Sequence, residues 1–308
     1  MSGTSCLACG NSATSRWATA SDVEYGSSSE RFSYVRCCDC DALSINPVPR
    51  DRLGEIYPPT YYSFGERDTS LVQRIKQWLD RRMFRKIFAT LPGGQLSALD
   101  VGGGSGWLLT QACRIEPRLH HTVVVDIDDK ARSAAQAAGH DFFLGRIEDF
   151  NSADRFDLIL VLNLIEHVED PVAVLAKLRG LLTPAGRILV KTPNHDSLDA
   201  RLFRNHSWGG YHCPRHWVIF TPESFRSCAG KAGLHIKSLA FTQGAPFWAV
   251  SVLEYLSRKR VIRISYDRPM WRHALFGPLI ALFAAFDMAR KPFSRTSQMF
   301  IQLENSVG

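Results

Sequence analysis

The stretch LSALDVGGGSGWL, residues 96–108, combines a short apolar strand, a glycine-rich turn and the start of an apolar helix. The strand ends in Asp100 and Val101, and Gly102, Gly104 and Gly106 follow it. Glycines at this spacing permit a tight turn and let a ligand approach the backbone closely where a strand meets a helix. The stretch therefore predicts a nucleotide-type ligand site at the end of this strand.

Strands and helices alternate on the C-terminal side of the glycine turn. The segment 123–126 is a β-like run that ends in Asp126, one strand after the turn, where a carboxylate can accept both hydroxyls of a ribose. The segments 155–163 and 187–192 have the pattern of buried strands, and a helix capped near Asp170 lies between them. This alternation predicts an α/β fold with a parallel sheet and a ligand at the carboxyl ends of its strands.

The acidic residue before the glycine turn separates two classes of ligand. A nicotinamide enzyme would place a pyrophosphate on the following helix N-terminus, and Asp100 would not favour that anion. Asp100 suits instead a ligand whose amino acid part carries a cationic ammonium group. Four segments in order, LDVGGGSG, VVVDID, FDLILVLNLIEHVEDP and LLTPAGRILVKTPN, resemble the motifs of class I S-adenosylmethionine-dependent methyltransferases over roughly residues 95–240.

This resemblance implies a Rossmann-like, seven-stranded methyltransferase sheet with S-adenosylmethionine as cofactor. It implies that the glycine turn holds the methionine part, that the acid after the second strand binds ribose, and that residues 147–149 lie near adenine. Asn163 would lie under the sulfonium. Gly103 departs from the family, in which small polar residues or Cys are common at this position. The cofactor-binding residues implied for this chain are Asp100, Gly102, Gly104, Gly106, Asp126, Ile127, Glu148 and Asn163.

Five of the eight cysteines are clustered between Cys6 and Cys40. Cys6 with Cys9, and Cys37 with Cys40, form two CxxC pairs on either side of the segment 10–36, a spacing by which two knuckles close a tetrahedral four-cysteine zinc site. Such a site is structural, because no coordination position remains for water or substrate. The alternative is a set of reduced surface thiols, and Cys38 is a further thiol that could compete for the metal.

The segment after the cysteine pairs resembles a narrower group of proteins. INPVP at residues 45–49 and YPPTYY at residues 57–62 are similar to segments of zinc-ribbon methyltransferases found with sugar, polysaccharide and secondary-metabolite pathways. The resemblance implies a small-molecule, glycan or lipid-linked acceptor, with O-methylation favoured over C- or N-methylation. Residues 1–66 carry 5 basic and 8 acidic side chains, so this ribbon is not expected to bind nucleic acid.

Methyl transfer to an alcohol needs alignment and usually a general base, a role for which histidine is suited. Candidate side chains cluster after the fifth strand, where the loop faces the cofactor. We expect the base to be His216, then His212, with His167 third. Glu166 and His167 form a pair that either orients the cleft or binds a divalent cation. The remaining polar candidates of the loop are His195, His206 and Tyr211.

The net charge of +7 is concentrated in two stretches, residues 67–98 and residues 245–308, each with a net charge of +5. The first reads as an amphipathic helix, residues 69–91, that packs across the sheet and covers the cofactor cleft. Residues 245–295 hold nine Lys or Arg against three acids, together with tryptophans and an apolar run at residues 275–286. This composition is typical of an interfacial membrane element, but a helical cap or a homodimer interface with a solvated basic rim is favoured over it, and the two interpretations are compatible.

Four segments follow from these patterns: a zinc ribbon and linker (1–66), a cofactor-binding domain with its N-terminal helix (67–244), a helical insertion (245–297), and a last strand and tail (298–308). No basic and apolar leader pattern opens the chain, and its longest apolar run is about half of the roughly 20 residues of a spanning helix. We expect a protein that is either cytoplasmic throughout or peripherally associated with the inner face of the membrane. The rival functions are a zinc-ribbon RNA base methyltransferase and a non-catalytic scaffold that retains the cofactor fold.

Overall fold

The computed structural model describes residues 5–57, 71–205, 208–264 and 269–306. Two of the predicted features, the boundary between residues 66 and 67 and the start of the basic helix at Thr69, lie outside these ranges. The strands are β1 (Thr14–Ser21), β2 (Arg31–Cys37), β3 (Leu43–Asn46), β4 (Leu96–Val101), β5 (Leu119–Asp126), β6 (Asp141–Leu144), β7 (Phe156–Leu162), β8 (Leu182–Pro193), β9 (Val218–Ile219), β10 (Leu234–Thr242) and β11 (Gln298–Asn305). The helices are α1 (Leu53–Ile56), α2 (Leu71–Phe88), α3 (Trp107–Cys113), α4 (Arg132–Ala137), α5 (Pro171–Leu181), α6 (Leu198–Phe203), α7 (Pro222–Lys231), α8 (Ala245–Arg258) and α9 (Phe276–Arg290).

The central sheet has seven strands in the order β10-β11-β8-β7-β4-β5-β6. The strands β8, β7, β4, β5 and β6 run parallel to one another, whereas β11 lies between β8 and β10 and is antiparallel to both. The predicted Rossmann-like α/β sheet is therefore confirmed. The carboxyl ends of β4, β5, β7 and β8 meet at one edge, which is where a ligand of this architecture binds.

The strand β7 shows why the middle of this sheet is so apolar. Its side chains alternate between two faces, with Ile159 and Val161 in one buried cluster and Leu158 and Leu160 in the other. The helices α5 and α7 cover the first face, and α2 and α3 cover the second. A strand covered on both faces reads as a continuous hydrophobic run, as residues 156–162 do.

The helix after β7 begins where the sequence indicates. The carboxylate of Asp170 accepts a hydrogen bond from the backbone N–H of Ala173 at 2.8 Å, and Pro171 occupies the first turn. A side-chain cap satisfies an amide that the helix itself leaves without a partner, and proline has no amide to lose there.

A second, smaller sheet joins the N-terminal segment to the rest of the chain. It has the order β1-β2-β3-β9, with antiparallel pairs throughout. Its last strand, β9, comes from the loop that follows β8, so the N-terminal segment and that loop form one sheet.

The long connection between β10 and β11 contains α8 and α9, which pack against each other. Trp248 of α8 stacks on Phe283 of α9 with ring centroids 4.6 Å apart. The buried carboxylate of Asp287 accepts hydrogen bonds from the backbone N–H of Gly244 at 2.7 Å and from the indole of Trp248 at 3.3 Å. These contacts fix the helical pair on the end of the sheet next to the loop after β8.

Candidate active site

The glycine turn after β4 has the backbone that its sequence requires. Gly102, Gly104 and Gly106 have φ of +72°, +55° and +67°, a region that favours glycine. Gly103 has another reason to lack a side chain, because a Cβ there would lie 2.5 Å from the Cγ atom of Asp100. The departure from the family pattern at Gly103 therefore matches the position of this carboxylate.

Two acidic side chains lie side by side at the end of β4 and β5. Asp100 is buried, and burial followed by the charge of Asp126 raises the pKa of Asp100 to about 7. Burial also raises the pKa of Asp126, although its oxygens accept backbone N–H groups from Gly104 at 2.8 Å and Asp128 at 2.9 Å. A cationic ligand group would stabilise both carboxylates in their ionised form, so this pair fits an ammonium-bearing cofactor.

The other predicted cofactor residues lie along the same edge. Ile127 follows Asp126 and is 58 % exposed, so its side chain is available to a ligand. Glu148 lies in the loop after β6 and forms an ion pair with Arg146 at 2.6 Å. Asn163 follows β7, and its side-chain oxygen accepts a hydrogen bond from Gln298 of β11 at 2.7 Å.

The structure brings the three favoured histidines together. The ring centroids of His167 and His216 lie 4.8 Å apart, those of His212 and His216 5.0 Å, and those of His167 and His212 6.3 Å. His195 lies elsewhere, where its Nε2 atom is 2.7 Å from the carbonyl oxygen of Asp41. His206 is outside the described residues.

Two of the three rings have a pKa well below the usual value of histidine; His216 is buried and His167 is half-buried. Burial, followed by the charge of His212, lowers the pKa of His167 to about 3, and burial lowers the pKa of His216 well below its usual value. The Nδ1 atom of His216 lies 2.8 Å from the carbonyl oxygen of Gly210, and that of His167 lies 3.0 Å from the carbonyl oxygen of Arg215. A backbone carbonyl can only accept a hydrogen bond, so the ring of His216 donates its Nδ1–H to the main chain. The Nδ1 atom of His167 lies 3.0 Å from the hydroxyl of Tyr57 as well as from its carbonyl partner.

His212 differs from the other two. Its Nδ1 atom lies 2.8 Å from Oε1 of Glu24, and the two side chains are 15 % and 17 % exposed. Its backbone has φ of +37°, a left-handed conformation that is costly for a residue with a Cβ. Glu24 is not among the predicted site residues, because it lies in an acidic segment far away in sequence, and only the folded chain shows that it reaches the histidine cluster.

The residues around Glu24 form the wall of this cluster. Arg215 and Asp22 make a fully buried ion pair at 2.9 Å. Burial alone would raise the pKa of Asp22, but the hydrogen bond and charge of Arg215 outweigh it and lower that pKa. The ring of Tyr25 lies under the Arg215 guanidinium at 4.4 Å, 6.0 Å from the ring of His212 and 4.9 Å from that of Trp271 in the insertion.

The N-terminal sheet contacts the backbone of the loop that carries His212 and His216, which is called the histidine loop below. The hydroxyl of Tyr34 on β2, which is fully buried, donates to the carbonyl oxygens of Tyr211 at 3.0 Å and His216 at 2.9 Å. The backbone N–H of Ile45 donates to the carbonyl oxygen of Trp217 at 2.9 Å. Disturbing this sheet would therefore move the backbone that carries the cluster.

The four predicted cysteine ligands converge at the base of the same sheet. The Sγ atoms of Cys6 and Cys40 are 3.6 Å apart, those of Cys9 and Cys37 are 3.5 Å apart, and all four lie within 4.8 Å of one another. The edge of a tetrahedron with metal–sulfur bonds of about 2.3 Å is about 3.8 Å, so the spacing fits a four-thiolate metal site. Cys38 is exposed and lies outside this group.

A second set of donor atoms lies inside the histidine cluster. A carboxylate oxygen of Glu166 and one ring nitrogen each of His167 and His216 lie within 4.8 Å of one another. Burial raises the pKa of Glu166 to about 8, and its Oε2 atom accepts a hydrogen bond from Thr192 at 3.0 Å. Two imidazoles and a carboxylate suit a divalent transition metal, so the pair of Glu166 and His167 retains both of its predicted roles.

Comparison with known proteins identifies the class. Residues 69–239, more than half of the chain, match the family described as Methyltransferase domain, and the chain belongs to that family. Together with the glycine turn, the paired acids and the sheet topology, this defines an S-adenosylmethionine-dependent methyltransferase.

The curated relatives include the ubiquinone biosynthesis O-methyltransferase of Cereibacter sphaeroides, which is 28 % identical over 194 residues, 58 % of this chain and 76 % of the relative. A solved putative sarcosine dimethylglycine methyltransferase from Galdieria sulphuraria aligns with a TM-score of 0.54 and 14 % identity, over 78 % of this chain and 89 % of its own. Coclaurine N-methyltransferase bound to N-methylheliamine and SAH aligns with a TM-score of 0.51 and 13 % identity, over 79 % of this chain and 75 % of its own. These two structures share the fold with this chain.

Proposed function

We propose that this protein methylates a hydroxyl group of a small-molecule or glycan acceptor, with His212 as the general base and Glu24 as the residue that positions it. The observation that carries the proposal is the 2.8 Å contact between His212 Nδ1 and Glu24 Oε1 beside the cofactor edge of the sheet. A carboxylate that accepts a hydrogen bond from Nδ1–H favours the tautomer of the neutral imidazole in which Nε2 is the basic nitrogen. This is the tautomer that can take a proton from an alcohol.

His212 is preferred here over the two neighbouring histidines. The Nδ1 atoms of His167 and His216 lie on backbone carbonyls, and burial holds the pKa of each far below the working pH range of a general base. Their packing against His212 supports a different role, which is to hold the ring of His212 in place. The sequence analysis ranks His216 first as the general base. That ranking depends on the position of the loop and does not include the hydrogen-bond partners and burial of each ring.

The residues at the cofactor edge supply binding and alignment. When bound, S-adenosylmethionine supplies an electrophilic methyl group on a sulfonium. Asp100 would hold its ammonium group, Asp126 its ribose hydroxyls, and the glycine turn would admit its methionine part. His212 Nε2 would take the proton of the acceptor hydroxyl as the methyl group passes from the sulfonium to the oxygen, and holding the reactants in line would lower the entropic part of the barrier.

Three lines support a small acceptor over RNA. The curated relatives named above carry the name of an O-methyltransferase of ubiquinone biosynthesis, the ribbon resembles those of sugar-modifying methyltransferases, and residues 1–66 are net acidic. Sugars, lipid-linked saccharides and related metabolites are the acceptor classes we propose. The four-cysteine site is proposed to hold structural Zn²⁺, because four thiolates at tetrahedral spacing select this ion and leave no open position.

Transfer of labelled methyl groups to fractionated cell extract tests the function. The protein is incubated with labelled S-adenosylmethionine and extract, and the labelled product is identified by mass spectrometry. A small or lipid-linked product carrying an O-methyl group supports the proposal, and Asp126→Ala serves as the control that should abolish labelling. Label that appears only in RNA favours the RNA methyltransferase, and no label in any fraction favours the scaffold.

A further inference from the structure

The helix α9 of the insertion is apolar on the side that faces solvent. Its inward side carries Phe283, which stacks on Trp248, and the buried Asp287. Every exposed residue of α9 is apolar: Gly277, Pro278, Ala281, Leu282, Ala285, Phe286, Met288 and Ala289. A surface helix of a water-soluble domain normally carries polar residues there, so this face is built to be covered.

The apolar surface extends beyond the helix itself. Leu282 is 61 % exposed and Met288 is 54 % exposed, and Phe293, which follows the end of the helix, is 89 % exposed. At the other end, Trp271 and Leu275 are also exposed. Aromatic and aliphatic side chains at both ends of an apolar helix are typical of elements that lie in a membrane interface.

Basic side chains border this surface at both ends. Arg272 precedes α9 and Lys291 follows it, and both are exposed. Arg263 belongs to a segment whose neighbours Ile262 and Ile264 pack in the same apolar cluster as the start of α9, which brings this charge close to the helix.

Acidic side chains do not face the same surface in the described part of the insertion. Glu254 forms an ion pair with Arg258 at 2.6 Å, and Asp287 is buried. The residues 265–268, which include Arg268 and Asp267, lie outside the described residues. The described surface is therefore apolar with a cationic border.

The dimensions exclude a membrane span by this helix. Its 15 residues extend about 22 Å at 1.5 Å per residue, less than the roughly 30 Å of a hydrocarbon core. Among the described residues, none of the helices combines the length and hydropathy of a spanning segment. An occupant must therefore lie along the helix.

We propose that the surface formed by α9, Trp271 and Phe293 binds the interface of an anionic lipid bilayer, with Arg263, Arg272 and Lys291 contacting the headgroups. Anionic lipid is favoured over a second copy of this chain, because pairing two such surfaces would bring their cationic borders together. Trp271 packs on Tyr25, which faces His212, so the bound membrane would adjoin the histidine cluster. The proposal concerns binding alone and does not depend on the acceptor or the base.

Vesicle flotation of the full-length protein tests this surface. We expect the protein to float with vesicles of equimolar phosphatidylglycerol and phosphatidylcholine at low salt. With vesicles of phosphatidylcholine alone, we expect it to remain unbound in the bottom fraction. Each basic residue near such a surface contributes about fivefold, so the triple variant Arg263→Ala, Arg272→Ala, Lys291→Ala should bind the anionic vesicles roughly 100-fold more weakly.

The apolar face is tested by Leu282→Asp, with Leu79→Asp as the matched control. Both leucines are exposed on helices, at 61 % and 50 %, but Leu79 lies on α2. Leu282→Asp should weaken binding by about tenfold or more, because it places a charge where an apolar side chain enters the interface. Leu79→Asp should float like the unmodified protein, and both variants should keep their melting temperature.

Three results would overturn the proposal. The first is a protein that does not float with anionic vesicles at low salt. The second is an equal loss of flotation for Leu282→Asp and Leu79→Asp, which would show that the lipid-binding surface is not specific to α9. The third is a dimer, observed by light scattering without vesicle binding, that Leu282→Asp converts to monomer, because a second copy would then be the occupant.

Discussion

Replacing Glu24 with Gln tests the proposed catalytic pair with a minimal change in shape. The introduced amide oxygen can still accept a hydrogen bond from the Nδ1–H group of His212, but the side chain carries no charge. The contact in the native protein is 2.8 Å long and lies between side chains that are 15 % and 17 % exposed, so water screens it only in part. A hydrogen bond to a charged group contributes roughly 1.5–3 kcal/mol, and a loss of this size in the transition state lowers kcat by roughly 10- to 150-fold.

The assay measures kcat, the KM of the acceptor and the affinity for S-adenosylmethionine. For Glu24→Gln we expect the loss in kcat with an unchanged cofactor affinity, because Glu24 lies on the N-terminal segment and not at the glycine turn. Glu30→Gln is the matched control, since Glu30 forms an ion pair with Arg52 at 2.7 Å and its side chain is 54 % exposed. An exposed pair contributes little, so this variant should retain its rate.

A double-mutant cycle separates positioning from stability. If Glu24 acts through His212, then Glu24→Gln should have little further effect on kcat in a His212→Gln background. Full additivity of the two losses, or a fall in melting temperature that accounts for the loss of activity, would refute the pairing.

Three further predictions concern the cofactor turn and the cysteine cluster. Gly103→Ala should weaken S-adenosylmethionine binding in calorimetry, because its Cβ would meet the Asp100 carboxylate at 2.5 Å, whereas Gly93→Ala, which has open space around it, should bind normally; equal affinities would contradict the turn geometry. Because the pKa of Asp100 is about 7 without ligand and its carboxylate form is the one that holds an ammonium, cofactor affinity should rise about eightfold between pH 6 and pH 7.5, and a flat profile would remove that role. Cys37→Ser should lose bound zinc by elemental analysis and lower kcat more than cofactor affinity, while Cys38→Ser should keep both; equal zinc content in the two variants would be inconsistent with the four-cysteine site.

The cofactor half of the molecule can be predicted well from the sequence, for a local reason. The strand, glycine turn and helix of residues 96–108 are contiguous, and the strands β4, β5 and β7 are mainly apolar runs with a polar residue at or next to their carboxyl end. Asp100, Asp126 and Asn163 lie at the ends of such strands, so a parallel sheet brings them to one edge.

The proposed acceptor site, which consists of the histidine cluster and Glu24, can be predicted only in part, because its contacts join segments that are far apart in the sequence. The sequence identifies His167, His212 and His216 as candidates. The residues next to each histidine in the sequence do not show whether its Nδ1 atom faces a backbone carbonyl or a carboxylate. Glu24 lies 188 residues from its partner His212, and in the sequence it is only one member of an acidic segment. The pairing of β3 with β9, by which the N-terminal sheet supports the loop that carries His212 and His216, likewise depends on the tertiary fold.

The insertion shows a similar division. Its composition indicates either an interfacial element or a helical cap, and the folded chain has features of both. The helix α8 packs on the histidine loop, where the backbone N–H of Gly209 donates to the hydroxyl of Ser251 at 2.8 Å, and α9 presents its apolar side outward. Periodicity could not assign these roles, because α9 is apolar around most of its circumference.

The most direct test of the proposed reaction is the position of the transferred methyl group together with its dependence on His212. Methyl transfer from ¹³C-labelled S-adenosylmethionine to the identified acceptor, followed by NMR of the product, gives both. We predict an O-methyl product from the unmodified protein, and a His212→Gln variant that binds the cofactor normally but forms this product at about one hundredth of the rate or less. A methyl group on carbon or nitrogen, or full activity of His212→Gln, would contradict the proposed mechanism.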